Sequence, residues 1–141
     1  MLVDANILLY AANSSSRFHA PAEKWLVEAL NGNRRVGLPW QSLWAFLRIS
    51  TNSRVLDAPL TALQAWEHID DWLAAPAAWI PEPGRGHGSI LRDLVVTKDL
   101  RGGLVSDAAL AALCIEHGLT IVSADSDFAR FPEIERLNPI Q

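Results

Sequence analysis

Apolar residues along the chain occur in two patterns, short continuous runs and longer stretches at helical spacing. The short runs predict buried strands at 1–4 (MLVD), 35–39 (RVGLP), 77–84 (AAWIPEPG) and 119–125 (LTIVSAD). The stretches at helical spacing predict helices at 16–32, 40–51, 59–76, 88–98 and 106–118. A loop with a short helix is expected at 126–137. Strands separated by helices favour an α/β sandwich with a central, mainly parallel sheet.

The helix predicted at 40–51 has two distinct faces. Its expected buried face follows the i, i+3, i+4, i+7 spacing of Trp40, Leu43, Trp44 and Leu47. Gln41, Ala45 and Arg48 share the opposite stripe. Trp66 and Trp72 recur in the next predicted helix, so we interpret the tryptophans as core or dimer packing rather than a base-stacking platform.

Length and composition favour one domain covering residues 1–141, half of them hydrophobic. The single cysteine, Cys114, excludes an internal disulfide and a cysteine-rich zinc site. No basic leader precedes the first strand, and no apolar run approaches the roughly 18 residues of a membrane span. We therefore expect a cytoplasmic protein with no membrane partner.

Charge is distributed unevenly along this acidic chain. The net charge is -4, yet residues 29–56 contain no aspartate or glutamate and carry Arg34, Arg35, Arg48 and Arg54. A locally basic segment is typical of a surface that meets a polyanion. Ordinary solvated arginines explain the same residues equally well.

Four aspartates from distant parts of the chain occupy positions that meet in such a fold. Asp4 ends the first predicted strand, Asp125 and Asp127 follow the last, and Asp107 opens a predicted helix capped by Ser106. The functional crevice of an open α/β sheet lies outside the carboxyl ends of its strands. We therefore expect the four carboxylates to converge at one edge.

Each aspartate has a simpler explanation when taken alone. An acid at a helix start is stabilised by the macrodipole, and acids after a strand form turns. Together, however, crowded carboxylates raise one another's pKa, and a divalent cation removes that cost. An oxygen-rich set without cysteine suits Mg²⁺ or Mn²⁺, which can activate water and contact phosphate. The cluster therefore predicts a metal-dependent nuclease.

Three segments resemble a known family over nearly the whole chain. They are MLVDANILLYA, LVSDAALAALCIEHG and TIVSADSDFARFP. In this order they resemble the toxins of VapBC toxin–antitoxin modules, which are PIN-domain ribonucleases. The resemblance implies a PIN-like α/β/α sandwich and Mg²⁺- or Mn²⁺-dependent endonucleolytic cleavage of RNA. It further implies a structured target such as tRNA, inhibition of translation, a homodimer and a VapB-type antitoxin whose tail occupies the active-site groove.

The resemblance assigns roles residue by residue. Asp4, Asp107 and Asp125 match the acidic catalytic and metal-binding positions, and Asp127 is a secondary one. The polar positions that support these ligands are Asn6 and Ser123.

One expected acid is missing. Many PIN domains carry a glutamate in the helix after the second strand, and Ala45 occupies that position here. We therefore expect one tightly held metal rather than two. Arg48, Arg54 and Thr51 are candidates for contacts to RNA phosphate, although Arg48 could instead pair with an acid of the cluster.

Two other functions compete with that of a ribonuclease toxin. A haloacid dehalogenase-like phosphatase needs a second aspartate two residues after the first, where this chain has Asn6. A PIN-like module with weakened catalysis that only binds RNA or protein is the stronger alternative, because Ala45 replaces the glutamate.

Overall fold

The computed structural model describes residues 1–141 and contains one five-stranded sheet. The strand order is β3-β2-β1-β4-β5, and every neighbouring pair is parallel. The strands are β1 (Leu2–Val3), β2 (Val36–Gly37), β3 (Ala78–Trp79), β4 (Ile121–Val122) and β5 (Arg136–Leu137). The expected α/β class with a mainly parallel sheet is confirmed. The edge strand β5 was missed because its two residues are exposed.

Six helices flank the sheet. They are α1 (Ala5–Ala12), α2 (His19–Leu30), α3 (Trp40–Ser50), α4 (Ala62–Ala74), α5 (His87–Thr97) and α6 (Gly103–His117). A 3-10 helix, Ser126–Arg130, follows β4. The bounds of α2 to α5 agree with the sequence pattern to within a few residues, and Thr61 caps α4 through a capping box.

Alternate residues of the central strands belong to two different cores. Val3 and Val122 pack with α1 to α4 on one face of the sheet. Leu2 and Ile121 pack with α5, α6 and the 3-10 helix on the other face. Because β1 and β4 are covered on both faces, they are continuous apolar runs with no polar alternation. Cys114 lies in the second core, as expected.

Helix α6 begins one turn earlier than the sequence pattern indicated. The helix starts at Gly103 rather than after a Ser106 cap. Gly102, the residue before it, has a φ of 58°, a value that glycine adopts without steric cost. Asp107 therefore lies in the second turn, where the macrodipole stabilises an acid less. The end of the helix was predicted correctly, because Gly118 adopts the left-handed conformation at φ of 66°.

The expected buried face of α3 is partly wrong. Leu43 and Phe46 are fully buried, whereas Trp40 and Trp44 are exposed. Trp66 on α4 is exposed as well, and only Trp72 of these four tryptophans lies in the core. Both indoles of α3 lie at the edge of its apolar face. Helical spacing predicts the side of the helix on which a residue lies, but it does not predict whether that side is covered.

No helix of the structure has the length and apolar character needed to cross a membrane.

Candidate metal centre

Asp4 is tolerated at the end of a buried strand because it caps the helix that follows. Its backbone joins the sheet by donating to the Val122 carbonyl at 3.0 Å. Its side chain is the N-cap of α1, and its Oδ1 accepts the backbone N–H of Ala5 at 2.8 Å. The strand-to-helix turn therefore supplies the partner that a buried carboxylate requires.

A hydrogen-bond network connects Asp4 to the end of the neighbouring strand β4. The Ser123 hydroxyl donates to Asp4 Oδ2 at 2.7 Å, and Asn6 Nδ2 donates to the same oxygen at 3.2 Å. Asn6 Oδ1 accepts the backbone N–H of Ala124 at 3.2 Å, and Ser123 Oγ accepts that of Asp125 at 3.0 Å. The two residues expected to support the site thus fix Asp4 against the segment that carries Asp125.

Three further carboxylates form a compact group beside this network. Asp107, Asp125 and Asp127 each offer an oxygen, and these three atoms lie within 4.8 Å of one another. Asp125 caps the 3-10 helix by accepting the N–H of Asp127 at 2.8 Å. Asp127 therefore belongs to the group as fully as the other two acids, although the resemblance assigns it only a secondary position.

The electrostatics of the site record this crowding. Burial, together with the negative charges of Asp125, Asp4 and Asp127, raises the pKa of Asp107 to about 6. Burial also raises the pKa of Asp4, while its hydrogen bonds from Ser123 and Ala5 oppose the shift. Both acids would release their protons more readily if a cation were bound beside them.

The donor set fits a hard divalent cation. It consists of carboxylate oxygens supplied by α6 and by the segment after β4, with no sulfur or imidazole among them. Mg²⁺ and Mn²⁺ prefer such ligands. Asp107, Asp125 and Asp127 could hold the ion directly, and Asp4 borders them.

A cavity of about 150 Å³ opens between these acids and helix α3. Asp4 and Asp107 line it from one side. The residues of α3 that line it are Gln41, Ser42, Trp44, Ala45 and Arg48. The stripe of Gln41, Ala45 and Arg48 therefore faces Asp4 and Asp107. Ala45 offers only a methyl group at the position where many PIN domains have a glutamate. Gln41 Nε2 donates to the Ser106 carbonyl at 2.9 Å, which ties α3 to the turn before Asp107.

Of the three residues expected to contact phosphate, one lines this cavity and two lie outside it. Arg48 lines it and makes no ion pair, so the alternative in which it neutralises an acid of the cluster is not seen. Thr51 donates its hydroxyl to the Leu47 carbonyl at 2.7 Å and does not line the cavity. Arg54 lies in the exposed loop after α3, also outside it.

Sequence reasoning missed two neighbours of the acids. Trp44 lines the cavity but was assigned to the core. Arg130 reaches Asp127, with Nε 3.9 Å from Oδ1, and its position three residues later on a helix was the available signal.

A larger, mainly apolar cavity of about 280 Å³ lies between the ends of α1 and α3 and the loop after α3, and no carboxylate lines it.

Comparisons with known proteins agree on one family. The model of the PIN domain matches residues 1–134. The chain is 45% identical to Ribonuclease VapC37 of Mycobacterium tuberculosis, covering 92% of this chain and 90% of that protein. It is 36% identical to Ribonuclease VapC33 of the same species, covering 100% of this chain and 99% of that protein.

Solved structures show the same fold. VapBC2 from Rickettsia felis, bound to a DNA fragment from its promoter, aligns with a TM-score of 0.69 at 18% identity, covering 97% of this chain and 96% of that one. FitAcB from Neisseria gonorrhoeae aligns with a TM-score of 0.61 at 16% identity, covering 98% and 96%. The expected PIN-like architecture is confirmed.

Proposed function

This chain belongs to the PIN-domain family and, within it, to the VapC ribonucleases, and from that premise we propose that it is a Mg²⁺- or Mn²⁺-dependent endoribonuclease. The proposed reaction is hydrolysis of an RNA phosphodiester bond. The proposed biological role is that of the toxin in a type II toxin–antitoxin system, acting on tRNA or another structured RNA to inhibit translation. Residues 1–141 then form a single PIN domain.

One observation carries this proposal. Asp107, Asp125 and Asp127 place carboxylate oxygens within 4.8 Å of one another, and the network through Ser123 joins Asp4 to them. Burial and the neighbouring charges raise the pKa of Asp107, so ionising it beside the other acids costs free energy unless a cation is bound. Because the folded state keeps these acids close together despite that cost, we infer that they form the binding site of a divalent ion.

The proposed roles of the residues follow from their positions. Asp107, Asp125 and Asp127, whose oxygens lie within 4.8 Å of one another, would hold the ion, and Asp4, which borders them, would bind it or orient its water ligands. A bound divalent ion supplies an activated water and offsets the charge of the phosphate. Asn6 and Ser123 keep the carboxylate of Asp4 in one orientation through their hydrogen bonds.

The arginine of the cavity is the proposed phosphate contact. Arg48 has no acidic partner and lies opposite Asp4 and Asp107 in the same cavity. Its guanidinium can therefore bind a phosphate oxygen on the side away from the metal. Arg54 and Thr51, which lie beyond the cavity, would contact the RNA backbone further along the strand.

We propose a single tightly held metal. Ala45 lines the cavity where an acid would complete a second site, and no other acid of α3 replaces it. Two divalent ions need more anionic ligands than this arrangement offers on that side.

The partners of the proposed toxin are a VapB-type antitoxin and a second copy of the chain. The structures with the same fold are named VapBC2 and FitAcB, which supports an antitoxin partner. A homodimer is proposed from the family resemblance. The proposed place of action is the cytoplasm, because translation takes place there.

The alternative, a PIN-like module that binds RNA or protein with weakened catalysis, is not favoured. Its support was the loss of the glutamate at Ala45. Every other acidic position is occupied, and the acids lie together.

The test is cleavage of total tRNA by the purified protein in Mn²⁺ or Mg²⁺, with Asp4→Asn as the matched variant. Asparagine is as good an N-cap as aspartate, so the variant keeps the start of α1 while losing the charge. We expect cleavage by the wild type, loss of cleavage in EDTA, and at least about a hundredfold slower cleavage by Asp4→Asn.

Two results would contradict the proposal. Equal cleavage by both proteins would remove Asp4 from the catalytic site and suggest a contaminating nuclease. RNA binding without cleavage by the wild type would favour the weakened module. The melting temperature of Asp4→Asn provides the folding control.

A further inference from the structure

Three exposed tryptophans lie together beside the candidate metal centre. Trp40 and Trp44 belong to α3 and Trp66 to α4, and their exposed fractions are 43%, 59% and 44%. We call these three residues the tryptophan patch. The largest contiguous apolar patch on a soluble domain is often a site of interaction.

The tryptophan patch is continuous with the cavity of the metal centre. Trp44 lines that cavity together with Asp4 and Asp107. Trp40 lies one helical turn before Trp44, on the same side of α3. Its ring stacks on that of Trp66, with centroids 6.4 Å apart and planes 26° apart. The patch therefore runs from the cavity across α3 to α4.

A cation borders the patch on the cavity side. The guanidinium carbon of Arg48 lies 5.7 Å from the centroid of the Trp44 ring. No carboxylate lies within ion-pairing distance of it. Planar aromatic faces next to a free cation match the alternation of bases and phosphates in a single strand, since bases stack on the rings and a phosphate binds the cation.

The size of the patch argues against a second copy of the chain as its occupant. A tryptophan side chain buries at most about 250 Å², so at their exposures these three offer about 350 Å². A stable protein interface takes roughly 800 Å² from each partner. The patch suits one or two nucleobases better than a protein surface.

We propose that the tryptophan patch is a stacking platform for unpaired nucleobases of the RNA substrate, next to the phosphate held at the metal centre. This inference rests on the proposed ribonuclease function and extends it to substrate choice. Bases within a duplex have no free faces for the indoles. The cleaved bond therefore lies in a single-stranded segment, such as a loop.

The test measures RNA binding separately from cleavage, in the Asp4→Asn background with Mg²⁺. The probes are fluorescein-labelled oligo(A) RNA and the same strand annealed to oligo(U), followed by anisotropy. We expect tighter binding of the single strand, accompanied by quenching of tryptophan emission. Trp44→Leu and Trp40→Leu should each weaken it by roughly tenfold, since a stacked base contributes that much or more.

Two further variants separate stacking from general effects. Trp44→Phe keeps an aromatic face and should bind the single strand within about threefold of the parent, because a smaller ring still stacks. Val96→Ala removes an equally exposed apolar side chain from α5, away from the patch, and should leave binding unchanged. All variants change exposed residues, and their melting temperatures report any loss of fold.

Three results would overturn the inference. Equal binding of duplex and single strand, or unchanged binding by both leucine variants, would exclude stacking while cleavage by the wild type still supported the proposed function. A shift from dimer to monomer in Trp44→Leu or Trp40→Leu, measured by light scattering without RNA, would assign the patch to the interface between copies. A wild type that neither binds nor cleaves RNA would overturn the proposed function and this inference with it.

Discussion

Ser123 shows how much of the site depends on a single small side chain. Its hydroxyl donates to Asp4 Oδ2 and accepts from Asn6 Nδ2 and from the backbone N–H of Asp125. One buried oxygen thus bonds to Asp4 and Asn6 at the β1–α1 turn and to Asp125 in the segment after β4. Removing it would leave the backbone N–H of Asp125 without its partner and would take from the Asp4 carboxylate its shortest hydrogen bond, which costs more than the lost bonds themselves contributed.

Ser123→Ala should therefore lower the free energy of unfolding by about 1–3 kcal/mol and slow RNA cleavage. The matched control is Ser42→Ala, because Ser42 is also buried and lines the cavity, but its hydroxyl has no hydrogen-bond partner. That control should be as stable as the wild type or slightly more so. Urea unfolding of the three proteins measures the difference, and equal losses in both variants would contradict the role given to Ser123.

Arg48→Ala tests the proposed phosphate contact. Loss of one contact should weaken RNA binding at low salt and reduce the slope of log K against log salt by about 0.7, the value for one phosphate of a single strand. Arg92→Ala is the control, because Arg92 is exposed on α5 and does not line the cavity. Unchanged binding at several salt concentrations would remove Arg48 from the site.

Helix α3 combines a structural face and a functional face. Leu43 and Phe46 anchor it in the core, while Gln41, Ala45 and Arg48 line the cavity. Gln41 also fixes the distance between α3 and the start of α6 through its bond to the Ser106 carbonyl. Because α6 carries Asp107, this contact sets how the two sides of the cavity face each other.

Ala45→Glu tests the one-metal proposal at this face. The added carboxylate should create a second binding event, or tighten the first by roughly tenfold, because an anionic ligand then faces Asp4 and Asp107 across the cavity. Titration calorimetry with Mn²⁺ gives the stoichiometry, and Ala45→Gln controls for side-chain size. Two fully occupied ions in a Mn²⁺-soaked crystal of the RNA-free wild type would contradict the proposal.

At the scale of the whole molecule, the acidic centre joins both halves of the fold. Asp4 belongs to the β1–α1 turn, Asp107 to α6, and Asp125 and Asp127 to the segment after β4. Their mutual repulsion therefore opposes folding, and a bound cation would reverse that effect. Stability should depend on pH and on metal together.

The pH dependence has a definite sign. The pKa of Asp107 rises from 3.8 to about 6 on folding, so the folded state binds a proton more tightly than the unfolded state. Its contribution to stability is fully present below about pH 4 and is lost as the pH rises through 6. In EDTA, the melting temperature of the wild type should fall over this range relative to Asp107→Asn.

Added Mg²⁺ or Mn²⁺ should restore the melting temperature of the wild type at pH 7 and have little effect on Asp107→Asn. Differential scanning calorimetry with and without metal measures both differences. The scans cover pH 4 to 7 because the pKa of Asp107 rises from 3.8 to about 6 on folding. Parallel curves for the two proteins would show that Asp107 is not held in a crowded acidic site.

The sequence by itself determined the class of the fold and the candidate acids. The apolar run of β1 and its aspartate predicted a strand that ends at a polar edge, and β4 repeated the pattern with Asp125. Both strands are covered on two faces, so each is a short, continuous apolar run, and its length and flanking polar residues favour a strand over a helix. The helical period likewise located α2 to α5, and the glycine at 118 located the end of α6.

Only the tertiary structure decided which side chains share a site. Asp127 joins Asp107 and Asp125 because the 3-10 helix turns it inward, and local sequence does not specify that turn. Trp40 and Trp44 are left exposed by the way α4 packs against α3. The spacing of residues within one helix carries no information about that contact. Periodicity assigns a residue to one side of its helix, but the neighbouring elements decide whether that side is covered.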